Sequence, residues 1–470
     1  MDSPNVCISR VTVQLVIIAM ALSLAEVADA RNIYVNHETG DDRAAGEMTS
    51  PYKTIHKGVR SALPGDTVHL VNTGRPYRES PVFHNAHGEP GKPITLDGHG
   101  ATIEGSDPLA VDEWEQVSPG LYRKAKLLAT NDAVIGRWFM RFAGKMQHMN
   151  RTSKGPTQPL KKPDELQAGE WTYVKDVDTF YVRIDPQSSL ADAQISAPIR
   201  SSGVQVSGDC SHLVIRNLIC THVYNDGFNI HGKTRDVRFE NVQAIECGDD
   251  GISAHDDCRI VVDGMVSIGN STGMCHTNES HTDCRGVLIR DCLGMDYFMI
   301  GGGQHRLSDS LILVSSAGGV RIAGDSRTGA ICDTTLEHVA IQRIAGSKTL
   351  NFAAGSAVTL KHVTSDGSFL AASGKSIALE RCVIGSASAP ELTIYANTTW
   401  QADHNVYDVK FLRFDKRFIA HDQFDAFQKE GTSDQHSQWT KVKFAEPFTG
   451  AMVEPALVNT GVDVTRLPKR

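Results

Sequence analysis

Gly227–Gly232 reads GFNIHG and Gly251–Asp256 reads GISAHD, two strand-length runs bounded by turn-forming residues. Phe228 and Ile230 share one parity, as do Ile252 and Ala254; Asn229 with His231 and Ser253 with His255 take the other. Successive strand residues point to opposite faces, so the first set predicts a buried face and the second a solvent face. Further copies begin at Gly273 (GMCHTN), Tyr297 (YFMIGG), Gly319 (GVRIAG), Thr349 (TLNFAA), Ser368 (SFLAAS) and Glu391 (ELTIYA). Successive starts lie 24, 22, 24, 22, 30, 19 and 23 residues apart. Second short strands, among them HLVIRNL, DVRFENV, CRIVVDG and SLILVSS, fall between the copies.

A period of this length with several short strands and no intervening helical pattern predicts an all-β solenoid. One turn cannot bury its apolar face alone, but stacked turns make a continuous core. Leucine-rich repeats have a similar period, yet their L-x-x-L-x-L-x-x-N pattern is missing. The expected fold is a right-handed parallel β-helix with an N-terminal helical cap and an inserted small β-rich region. Ser50–Val59, with Pro51 in its first turn, reads as the cap that hides the open strand edge. Residues 31–106 then hold the cap and first turns, 107–194 an insertion with Trp114, Trp138 and Trp171, and 195–402 the regular coil. A mixed tail, 403–470, contains FDAFQKE and is expected to pack back along the outside.

The chain has 470 residues, 40% hydrophobic and 22% charged, with a net charge of −8. It has no basic stripe with interleaved aromatics, which argues against a nucleic-acid partner. Residues 1–30 read as an export signal: Arg10, an apolar core from Val11 to Ala25, and Ala28-Asp29-Ala30 as the cleavage site. The expectation is a secreted or periplasmic monomer, cut after Ala30, with no membrane segment left. Nine cysteines follow, none with a zinc spacing; Cys258 and Cys284, on neighbouring turns, are the best candidates for a disulfide.

The opening IYVNHETGDD…SPYKTIHKGVRSALPGDTVHL and the closing FDAFQKEGTSDQHSQW resemble the pectin-lyase-like superfamily of right-handed β-helix proteins. That resemblance implies a polysaccharide partner and is specific for fold more than for reaction. Asp226-Gly227-Phe228 and Gly248-Asp249-Asp250-Gly251-Ile252 resemble two motifs of polygalacturonase-type glycoside hydrolases, in which aspartates one rung apart supply the general acid and the water-activating base. Thr272 stands where that family has a histidine. The Arg-x-Lys that grips a uronate is absent from Tyr297–Gly302, and Gly319-Val320-Arg321-Ile322 matches it a rung late.

On strand parity, Asn229, Ser253, Cys275, Met299 and Arg321 form one outward column, and His231, His255, Thr277, Gly301 and Ala323 the next. The candidate catalytic residues are Asp226, Asp249, Asp250, His231 and His255, because close carboxylates push one another's pKa values apart and paired carboxylates cleave glycosidic bonds. Asn229, Ser253, Arg321 and His276 are the candidate substrate contacts. Hydrolysis is the leading expectation. A calcium-dependent polyuronate lyase is the rival, with Asp226, Asp249, Asp250 and Asp256 as oxygen ligands, His231 or His255 as base, and no well-placed lysine in view. A C5-epimerase shares half of that chemistry. A non-catalytic glycan-binding or structural solenoid, with the aspartates acting as turn formers, is the remaining alternative.

Overall fold

The computed structural model describes residues 30–469 except 128–131, 156, 344–349, 368–369, 386–390, 432 and 454–458. The expected export signal therefore lies outside the described residues, apart from Ala30. Two long parallel sheets form the body of a right-handed parallel β-helix. One has 16 strands, its ladder running from Asn32–Val35 to Gln438–Trp439; the other has 12, from Val82–His84 to Arg417–Ile419. Each turn gives a long bent strand to the first sheet and a short strand to the second, as in Lys233–Ile245 then Asp250–Ala254.

The bends follow from residue type. Asn217, Asn241, Gly264, Gly286, Asp309, His338, His362, Arg381 and His404 all have positive φ, and strand register stacks them into one corner ladder. Gly, Asn, Asp and His tolerate this left-handed backbone best. Asn241 also donates from Nδ2 to Asn217 Oδ1 at 2.9 Å, tying two turns together. A second ladder, Gly208, Gly232, Asp256, Asn278 and Gly301, closes the short strands. Inside, Phe228, Ile252, Met274, Tyr297 and Val320 form one buried column.

That column corrects the expected register at one turn. Tyr297 pairs with Met274, so Phe298, not Met299, stands beside Cys275 and Arg321. Met299 is buried under His276, and Ile300 takes the place expected for Gly301. This turn is 23 residues long in register rather than 24, and a one-residue slip moves every side chain to the other face.

The cap is a helix over Ile55–Ser61, shorter than expected: Thr54, not Pro51, sets its start by accepting from the Lys57 amide. Gly58 is required where this helix meets the coil, because a Cβ there would lie 2.8 Å from the methyls of Val35 and Val68. The inserted region forms two four-stranded antiparallel sheets around Trp138, Trp171 and Phe180, with Trp114 also buried. The coil continues past Asp403 with strands Val406–Asp408 and Leu412–Phe414. Helix Phe424–Glu430 then covers its end, Phe424 lying against Tyr407 and Trp439. The last segment returns along the outside, with Phe444 and Phe448 packed on Leu288, Leu311, Leu313 and Ala340.

All nine described cysteines are buried and free. The expected Cys258–Cys284 bond is absent because register places Cys284 opposite Val262, four residues beyond Cys258. At about 3.3 Å per strand residue that offset exceeds the reach of a disulfide. Among the described residues no helix is long and apolar enough to cross a membrane.

The corner ladder gives a stability test. Asn241→Val forces a β-branched side chain into the left-handed region and lowers stability by about 1–2 kcal/mol. Asn241→Gly costs a fraction of that. Urea-unfolding midpoints of the two variants check the order.

Candidate active site

Asp226 and Asp250 enter the short-strand sheet at the same corner, 24 residues apart and in register. The Gly227 amide bonds the Asp250 carbonyl at 2.9 Å, and the Asp250 amide donates to Asp226 Oδ1 at 3.1 Å. Ser253 Oγ donates to Asp226 Oδ2 at 2.6 Å. One oxygen each of Asp226 and Asp250 and one ring nitrogen of His255 lie within 4.8 Å of one another. The coil thus brings three of the expected catalytic groups together.

The cluster is covered. Asp226, Asp249 and Asp250 are only 3%, 7% and 2% exposed, because the inserted region lies over them. Lys154 Nζ is 2.6 Å from Asp249 Oδ1 and 2.6 Å from Asp250 Oδ1; Arg137 Nη1 donates to Asp249 Oδ2 at 3.0 Å. Ser153 Oγ also bonds Asp249 Oδ1, and its amide donates to Ser271 Oγ. The insertion approaches so closely that a Cβ on Gly248 would lie 2.5 Å from the Arg137 carbonyl oxygen.

Burial and this cation pair separate the three acids. Burial and the Asp249 charge push Asp226 up to about 6, against the opposing pull of Lys154, Ser253 and the Asp250 amide. Burial and Asp249 also hold Asp250 well above the usual carboxylate range. For Asp249, burial is outweighed by Lys154, Ser153 and Arg137, which keep it ionised below that range. Lys154 is half-buried, and against the cost of desolvation Asp250 and Asp249 raise it well above an ordinary lysine. Neighbouring acids pushed in opposite directions are the arrangement that acid–base catalysis uses.

His231 and His255 stack with ring centroids 4.2 Å apart and planes 8° from parallel. Thr277 Oγ1 lies 2.8 Å from His255 Nδ1. Burial, then the proximity of His231 and Lys154, lowers His255 to about 4, so it is neutral at pH 7. Burial also lowers His231, with Asp256 opposing. Both imidazoles remain half-exposed, His255 with a ring nitrogen near Asp226 and Asp250 and His231 with Nδ1 3.8 Å from Asp256 Oδ2.

The other expected site residues lie elsewhere or are already engaged. Ser253 is fully buried and used by Asp226; Asn229 is buried, with Nδ2 3.3 Å from Ser202 Oγ. His276 belongs to the inward column, fully buried, its Nδ1 accepting from the Ala254 amide, so it faces the core instead of a substrate. Arg321 is half-buried on the outward column but three rungs from Ser253, roughly 14 Å at 4.8 Å per strand. Asp256 sits at the opposite corner, where its Oδ2 accepts from the Gly232 amide, a turn-forming role.

The expected calcium set therefore does not fit. Asp256 is apart from the other three aspartates. Both oxygens of Asp226 and of Asp249 already accept hydrogen bonds from this chain. Lys154 Nζ stands between Asp249 and Asp250, where a shared cation would bind, and Ca²⁺ takes six to eight oxygen ligands.

Lys154, Arg137 and Ser153 are the site residues that sequence reading missed. They lie 95 or more positions from their partners in an aperiodic region, and no local pattern marks them.

No protein-family model matches the chain, and no curated protein sequence matches it. A solved structure described as a glycoside hydrolase is similar over 80% of this chain and 96% of its own, with a TM-score of 0.52 at 10% identity. XylC solved with xylose is similar over 87% and 82%, with a TM-score of 0.47 at 12% identity. Pectate lyase Pel9A is similar over 80% and 80%, with a TM-score of 0.44 at 12% identity. The likeness is one of fold. With the two parallel sheets described above, the chain has the right-handed parallel β-helix fold.

Two variants test the electrostatics. Lys154→Met leaves three buried carboxylates facing Arg137 alone, and stability falls by about 3–5 kcal/mol. The loss is smaller at pH 5 than at pH 8, since protonation relieves it. Asp226 binds its proton more tightly folded than unfolded, so its contribution to stability is present at low pH and lost as pH rises from about 4 to about 6. Asp226→Asn makes that decline shallower in thermal unfolding midpoints measured across this range.

Proposed function

We propose that this protein is a polysaccharide-cleaving enzyme that hydrolyses glycosidic bonds, with Asp250 as proton donor and Asp226 as base. The observation that carries this reading is the meeting of Asp226 and Asp250 on adjacent rungs, beside an Asp249 held ionised. Asp250, kept protonated, gives its proton to the departing glycosidic oxygen. Ionised Asp226, oriented by Ser253 and the Asp250 amide, takes a proton from the water that attacks the anomeric carbon. Asp249 anchors Lys154 while the corner is covered, and Arg137 remains its ion-pair partner when the cover opens. The His231–His255 stack offers half-exposed ring edges that can hydrogen-bond sugar hydroxyls. A polymer reaches the acids when the Thr152–Gly155 segment that carries Ser153 and Lys154 lifts from the corner.

A pH profile tests the assignment. The acid limb of kcat/KM lies near pH 6, where Asp226 ionises. Ser253→Ala removes a donor that favours the ionised form, so the limb moves to higher pH. Asp250→Asn lowers turnover by about 10²–10⁴-fold. Unchanged turnover in an Asp226→Ala, Asp250→Ala double variant on every glycan cleaved by the wild type contradicts the reading.

Two observations favour other readings. A neutral His255 beside the Lys154 ammonium is the base and carboxylate-neutralising cation that elimination from a polyuronate needs, without calcium; C5-epimerisation shares that first proton abstraction. The products separate these chemistries, because elimination leaves an ultraviolet-absorbing C=C bond and hydrolysis leaves only new reducing ends. The cover over the three acids favours a non-catalytic solenoid in which Lys154 and Arg137 clamp the insertion. Normal folding with no turnover on acidic or neutral glycans supports that alternative.

A further inference from the structure

Far from this corner, Asp403, His404 and His436 each bring one ligand atom to within 4.8 Å of the other two. His404 stands on the left-handed corner ladder at the end of the coil, whereas His436 comes from the segment after the C-terminal helix, 33 residues from Asp403. Asp403 Oδ2 lies 2.8 Å from His436 Nδ1 and 3.3 Å from His404 Nδ1. Its other oxygen, Oδ1, accepts the backbone amides of His404 at 2.9 Å and His436 at 2.8 Å. The two rings stack at 4.7 Å and 22°. The three ligand atoms therefore lie close enough to share one ion after a modest rotation of the rings, and Oδ1 fixes the backbone on either side.

The segment bearing His436 is already held in place. Buried Asp434 accepts from the Tyr407 hydroxyl at 2.7 Å and from Trp400 Nε1 at 3.1 Å. A ligand set fixed before binding loses little conformational freedom on taking up an ion. The His436 side chain is 63% exposed, so an ion reaches the site without disturbing the core. The other exposed histidine stacks, His69 with His99, His231 with His255 and His338 with His362, do not complete such a set of three ligand atoms with a carboxylate.

We propose that Asp403, His404 and His436 form a transition-metal site of the Zn²⁺ class that staples the C-terminal cap to the last turns of the coil. Two imidazole nitrogens and one carboxylate oxygen suit Zn²⁺, whereas Ca²⁺ and Mg²⁺ prefer all-oxygen sets. The fourth tetrahedral position is left to water. Binding replaces the proton shared between His436 and Asp403. The end of a solenoid is where its strand edges open, so a cross-link there resists fraying.

Calorimetric titration of the full chain, stripped with chelator, with Zn²⁺ alone tests this, together with thermal unfolding. One ion binds per chain and raises the unfolding midpoint, while Ca²⁺ and Mg²⁺ at the same concentration do neither. His436→Ala and His436→Gln, at an exposed position, fold normally and lose both the binding and the shift; His338→Ala keeps both. Absence of Zn²⁺ binding by the wild type overturns the proposal, as does binding that persists unchanged in the His436 variants. Neither outcome bears on the hydrolytic reading, which uses different residues.

Discussion

Parallel stacking of turns at the spacing of one β-ladder is the constraint on which this molecule depends. It converts residues about two dozen apart in the chain into touching neighbours. Each turn then has to place the same kind of residue at the same corner, and the left-handed ladder from Asn217 to His404 shows how this is met. A corner that cannot take positive φ would throw its turn out of register, and register decides which side chains reach the outer face. The acid cluster is a product of this rule: Asp226 and Asp250 meet because two successive turns bend at one place.

Burial supplies the chemistry. Open to water, three aspartates would all ionise in the ordinary acidic range. Here one corner is covered by an insertion that contributes two cations to three carboxylates. Asp249, touching both, keeps its charge. Asp250 and Asp226, left with less compensation, hold protons to higher pH. The same cover that separates the acids also shields them from solvent, so the Thr152–Gly155 segment shapes the electrostatics by its position.

Much of this was legible in the sequence. Alternation in GFNIHG and GISAHD fixes which side chains enter the core, and the Gly, Asn and Asp boundaries mark the corners. Asp226 and Asp250 fall in register by counting alone. The slip at Tyr297 arose because that copy begins on an inward residue, so parity measured from its start inverted Met299. The parity of His276 with Met274 already placed it inside, against its selection as a substrate contact. Lys154 and Arg137 were beyond reach for a different reason: antiparallel hairpins have no period to project forward, and which loop lands on which corner depends on packing around Trp138 and Trp171. The proposed metal staple has the same character, since only the path of the tail brings His436 to His404.

The central claim is that Asp226 and Asp250 act together to hydrolyse a glycosidic bond. Mass spectrometry of oligosaccharides released in H₂¹⁸O tests it most directly. The account predicts one ¹⁸O atom at each new reducing end, and loss of these labelled products when both aspartates are replaced. Unlabelled products carrying a double bond, or labelled products that persist without the two aspartates, would contradict it.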